Sequence, residues 1–219
     1  MPIAGSSTAW SQVVNGDLAL SLGLVLSTTL LSPVTTPAVL YAASLLATGQ
    51  YAEALQGLAA GGTGAFLWIG VVAPSLLGIL ARLTVGEARI ASVRPHIKLL
   101  TVVLLLLLNY SNASLSLPQI MDEEDLDFFL VTLALAFTLC VTTFASALWL
   151  GRLIEVDEAQ EASLMYGLGM NNNGTGLVLA SVSLAAYPQV MLPIILYNLV
   201  QHVVAGIVHF LKYRQMKET

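Results

Sequence analysis

Apolar residues in this chain come in runs about as long as a lipid bilayer is thick, and that limits the fold more than any motif does. A helix needs about 20 largely apolar residues to cross the hydrocarbon layer. Residues 18–46, 58–83, 99–117, 128–150, 162–186 and 190–211 each meet that requirement. Backbone N–H and C=O groups find no water there, so a spanning segment must close its own hydrogen bonds as a helix or join a closed barrel. Runs this long, without the alternation of a barrel strand, predict helices. The expected fold is all-α: a polytopic membrane protein with six transmembrane helices in one membrane domain, residues 1–219, preceded by a polar stub at 1–17. The charge content agrees, since only 10% of residues are charged against about a quarter in soluble domains.

The eight Lys and Arg residues test this map. Arg82, Arg89, Arg94 and Lys98 lie between the second and third runs, Arg152 between the fourth and fifth, and Lys212, Arg214 and Lys217 in the tail. With alternating spans, all of these segments share one face. The other face carries Glu53 and the acidic "MDEEDLD" at 121–127. The positive-inside rule then predicts a multi-pass protein of the cell membrane with both termini cytoplasmic. It places Asp122, Glu123, Glu124, Asp125 and Asp127 outside, either as a solvated loop or as a vestibule attracting cations. Basic residues this few and scattered do not form a nucleic-acid surface. Cys140, the single cysteine, reads as a packing residue and leaves no intrachain disulfide or thiolate metal site. No His-Glu-x-x-His, nucleophile–base set or membrane-depth Asp pair occurs, so neither an enzyme nor a cofactor is expected.

One polar interruption stands inside the fifth run: "GLGMNNNGTG", residues 167–176. Non-helical backbone at membrane depth is tolerated only inside protein or beside a watery cavity. Asn171, Asn172 and Asn173 can replace lost backbone partners, and the flanking glycines permit unusual dihedrals. A helix broken here offers carbonyls from its first half and N–H groups from its second, suited to a cation and an anion respectively. Asparagines that merely bond between packed helices fit the same composition. The stub "AGSSTAWSQ" followed by "NGD" reads either as the second member of a pair of interrupted helices or as a terminus without fixed structure. In the first span, Pro33 and Pro37 deprive the carbonyls of Thr29 and Pro33 of helical donors.

These segments also carry a resemblance. "GMNNNGTGLVLA" and "YPQVMLPIILYNLVQHVVAG" resemble the second crossing helix and final helix of the bile acid:sodium symporter family, with Gly169, Met170, Asn172 and Gly174 matching the first motif and His202 and Gly206 the second. "NGDLALSLGLVLSTTLLSPVTTP" resembles the family's fifth helix, and "GSSTAW" the second half of its first crossing helix. The resemblance implies a ten-helix fold of two inverted repeats, of which this chain holds the complete second repeat with its broken crossing helix. Residues 1–17 would be the remnant of the first crossing helix, without the three helices before it and half of the fourth. The implied function is transport of a small organic anion across the bilayer by alternating access, with Na⁺ as the coupling ion. A truncated or non-transporting scaffold or partner subunit is the other reading. Completion would come from the missing N-terminal helices or from self-association.

The family's sites carry over position by position. Ser7 and Ser21 fall on hydroxyl positions of the first sodium site, and Thr8 stands where the family has Asn. Val25 replaces a hydroxyl residue. Gly167 replaces the motif's acid, which removes the only intramembrane carboxylate. Leu168 and Met170 would supply carbonyls to the second site, with Asn171 in place of Gln. For the organic anion, the resemblance implies Ser6, Ser7 and Thr8 from the stub, Asn172 and Asn173 from the break, and His202 from the last span.

Overall fold

The computed structural model describes residues 1–86, 126–184 and 187–218, with scattered positions between 89 and 114. Residues 122–125 of the acidic loop and the greater part of the expected span 99–117 lie outside the described residues. The described chain is helical: α1 (Ser6–Val13), α2 (Leu18–Ser44), α3 (Gln50–Ala60), α4 (Thr63–Val85), α5 (Leu126–Leu153), α6 (Glu158–Gly169), α7 (Asn173–Ser183) and α8 (Met191–Glu218). Among the described residues, α2, α4, α5 and the Met191–Leu211 part of α8 are each long and apolar enough to cross a membrane.

Helix α2 shows why this chain belongs in lipid. Its buried residues are Ser21, Thr29, Ser32, Thr36 and Ser44, while Leu22, Leu26, Leu30, Leu31 and Val34 are exposed. That inverts the pattern of a helix in water. Two of the inward hydroxyls, those of Ser32 and Ser44, satisfy themselves on the helix's own backbone. The Ser32 hydroxyl donates to the Thr29 carbonyl at 2.8 Å, the acceptor that Pro33 leaves without its helical N–H. The Pro33 carbonyl faces Gly64 on α4, where an added Cβ would lie 2.8 Å from it. Asp17 starts the helix by accepting from the Ala19 and Leu20 N–H groups at 2.9 and 3.0 Å, an N-cap.

The expected span 58–83 is divided differently. Leu58 belongs to α3, and Gly61 and Gly62 separate that helix from α4. Gly62 takes φ +104°, a conformation that favours glycine. Within α4, residues Trp68–Val72 form a π-helical turn just before Pro74, and the Ala73 N–H reaches back to the Trp68 carbonyl.

The core sits between α5, α6 and α8. On α5, Thr132, Ala136, Cys140, Phe144, Ala147 and Gly151 are buried, a helix-spaced stripe of mostly small residues that lets neighbouring helices approach. Cys140 is fully buried among them, as expected of a packing residue. Met165 and Tyr166 of α6 and Leu192, Leu196, Tyr197 and Val200 of α8 complete the cluster, with Ala4 and Val14 from the stub. Helix α6 opens on a capping box in which Asp157 accepts from Gln160 N–H at 2.8 Å. It is buried on nearly every side from Ala162 to Gly169, so protein surrounds its last turns.

Candidate functional site

The fifth run is broken as its asparagines suggest. Helix α6 stops at Gly169, Met170 is extended (φ −120°, ψ 116°) and Asn172 caps α7. Gly169 is forced by packing, because the ring of Phe144 occupies the place of a Cβ. Met170 is fully buried, so its unwound backbone needs partners within the protein.

Those partners come chiefly from the stub. Residues 2–4 run antiparallel to the break, with Ile3 bridged to Asn171. The Ala4 N–H donates to the Met170 carbonyl at 3.0 Å, and the Asn172 N–H donates to the Pro2 carbonyl at 2.9 Å. The Ile3 N–H donates to the Thr28 hydroxyl of α2 at 3.1 Å. The side-chain amide of Gln201 then serves both backbone groups of Asn171. Its Oε1 accepts from the Asn171 N–H at 3.1 Å and its Nε2 donates to the Asn171 carbonyl at 3.3 Å. Two unwound segments therefore cross, one in α6–α7 and one leading into α1, and each supplies hydrogen bonds to the other. The stub has a fixed structure.

The three asparagines divide their work. Asn172 Oδ1 accepts from the Thr175 N–H at 3.2 Å, an N-cap for α7. Asn171 Nδ2 donates to the Tyr197 hydroxyl at 3.3 Å, so the interhelical role foreseen for these amides exists beside the break. Asn173 Nδ2 is buried without a protein partner.

Below the crossing, α1 lies against α6 in a constant register. Ile3 pairs with Asn171 and, further along, the Ser11 and Ser163 hydroxyls meet at 2.7 Å. Ser163 Oγ also donates to the Asp17 carbonyl at 2.8 Å. The Ser7 hydroxyl is buried and has no protein partner. Ser21 Oγ donates to Thr8 Oγ1 at 3.1 Å, so these two expected hydroxyl positions do come together. Ser6 is exposed. His202 is exposed on α8 and is not brought to the crossing. Gln201 beside it is buried there instead.

A cavity of about 400 Å³ opens at the start of α7. Phe66, Gly70 and Val71, in and just before the π turn of α4, form one wall, and Asn172, Gly174 and Thr175 form another. Of the residues expected to meet the organic anion, Asn172 lines this space. A helix N-terminus carries a partial positive charge and presents N–H groups to anions.

Sequence reasoning missed Gln201 and Tyr197. The signal was present, since a glutamine four residues after a tyrosine shares its helix face. An ionisable histidine beside it drew the functional reading.

Helices long enough to cross a bilayer, and a broken helix crossed by a second unwound segment, define a polytopic helical membrane protein of transporter-like build. Comparison with known proteins agrees. The model of the sodium bile acid symporter family matches residues 1–123, and the chain belongs to that family. Characterised members of the family are transporters, not enzymes. The uncharacterized protein YbaS of Bacillus subtilis (strain 168) is 28% identical over 214 residues, which is 98% of this chain and includes the α6–α7 break. The chain spans 66% of the length of that curated relative.

Proposed function

We propose that this protein carries a small organic anion across the cell membrane by alternating access, with the anionic group docking at the N-terminus of α7. The observation that carries the reading is the 400 Å³ cavity at the start of α7, set beside a helix break whose Met170 is fully buried. The positive end of a half-helix favours a carboxylate at membrane depth. The wall of Phe66, Gly70 and Val71 suits an apolar body. Asn172 contacts the solute, and Asn173, with a buried amide lacking a protein partner, is the second polar group in reach. Ser6 is already exposed, and Ser7 and Thr8 become accessible as α1 shifts against α6. Both termini face the cytoplasm in this reading, because the basic residues share one face of the span map.

Proteoliposomes loaded with the purified protein and offered a radiolabelled sterol carboxylate or 2-keto acid provide the test. Asn172→Ala is expected to abolish uptake while leaving membrane insertion intact. Asn172→Ser keeps a capping oxygen and still loses most uptake if the amide itself meets the solute. Wild-type uptake in both variants would rule out that role.

A further inference from the structure

A sodium ion needs several oxygens free to turn toward it and a negative charge nearby to balance it. The sequence has no Asp or Glu from residue 18 to 52 or from 162 to 211. At Gly167, where the resemblance places the family's acid, a side chain would be tightly packed. Leu24 Cδ1 lies 3.2 Å and Ile3 Cδ1 3.8 Å from the place of a Cβ. The Ser7 hydroxyl is buried without a protein partner and has no carboxylate from these runs to accompany it. Thr8 Oγ1 already receives the Ser21 hydroxyl, and Val25 offers no side-chain oxygen.

The carbonyls of the break are similarly engaged. Tyr166 O takes the Met170 N–H at 3.2 Å and Met170 O takes the Ala4 N–H at 3.0 Å. Gly169 O takes the Tyr197 hydroxyl at 3.4 Å. Asn171 O takes both the Asn173 N–H at 2.8 Å and Gln201 Nε2. Each of these four carbonyls thus already accepts a hydrogen bond from a donor within this chain.

We infer that the solute crosses without sodium, driven by its own gradient and the membrane potential, so that in an inside-negative cell the protein releases organic anions. The inference rests on the carrier reading given above. A potential of 100 mV, inside negative, biases a singly charged anion outward by about 50-fold. With no cation to compensate that charge, inward accumulation is unfavourable.

Trp10 gives a direct readout. It lies one helical turn from Ser7 and stacks on Tyr166, the neighbour of Gly167 in sequence, with ring centroids 6.0 Å apart and planes at 14°. The purified chain in lipid nanodiscs is titrated with sodium chloride against choline chloride at constant ionic strength, following tryptophan fluorescence and thermal midpoint. The two salts are expected to give superimposable curves. A saturable, sodium-specific change in either signal would overturn the inference. The double variant Leu24→Ser/Gly167→Glu, which makes room for a carboxylate at that position, is expected to gain such a change. In proteoliposomes carrying a potassium diffusion potential, with pyruvate and taurocholate as probe anions, an inside-positive potential should drive uptake whether or not sodium is present. Accumulation driven by a sodium gradient alone would contradict it. Absence of flux for either probe would count against the carrier reading, leaving the sodium titration to decide coupling.

Discussion

Gln201 holds the break open. Its amide supplies a donor and an acceptor to the backbone of Asn171 in the manner of a neighbouring strand, at a position 2% exposed. Gln201→Leu removes both bonds and leaves the buried Asn171 N–H without a partner, at a cost of about 1–3 kcal/mol. The thermal midpoint in detergent should fall and transport should be lost. His202→Ala, on the exposed flank of the same helix, should shift stability by less than about 0.5 kcal/mol. A larger loss from His202→Ala than from Gln201→Leu would reverse the assignment. The sequence made His202 conspicuous because charge in lipid is expensive. The same reasoning gives less weight to a neutral amide between Val200 and His202, and only the helix face shared with Tyr197 separates the two.

Among the elements, the α6–α7 break was the most legible part of the chain. The asparagines and glycines inside an apolar run fitted either a break or bonds between packed helices, and the structure has both; of the two readings open for the stub, it shows an ordered segment paired with the break. What the residues did not show is how the break is satisfied. The asparagine side chains were expected to replace lost backbone partners, and Asn172 does so as a cap. Most of the bonds come from Pro2, Ala4 and Gln201, which are remote in sequence. The division of α3 from α4 at Gly61–Gly62 was also missed, because alanines and leucines on either side keep the run apolar across it. Packing around the break is tight enough to test. Gly169→Ala drives a methyl into the Phe144 ring, and overpacking of this kind typically costs about 1–3 kcal/mol. Phe144→Leu in the same molecule should recover part of the loss in thermal midpoint. If Gly169→Ala alone leaves the midpoint unchanged, the close approach of α5 to α6 is not as described.

For the whole molecule, function depends on one arrangement, in which an extended segment ahead of α1 lies across the gap between α6 and α7. The N-terminus of α7 and the cavity walled by the π turn of α4 take their places from that crossing. The most direct measurement is a cysteine cross-link in native membranes. In a Cys140→Ala background, Ile3→Cys and Asn171→Cys are introduced together. The pair flanked by the Ala4–Met170 and Asn172–Pro2 hydrogen bonds is a non-hydrogen-bonded antiparallel pair, with Cα atoms about 4.5 Å apart, within disulfide range. Mild oxidation should convert both thiols to an intramolecular disulfide, identified as a joined peptide by mass spectrometry, whereas Ile3→Cys with His202→Cys should remain reduced. If the first pair stays free under oxidation that joins the second, the two segments do not cross and the account fails.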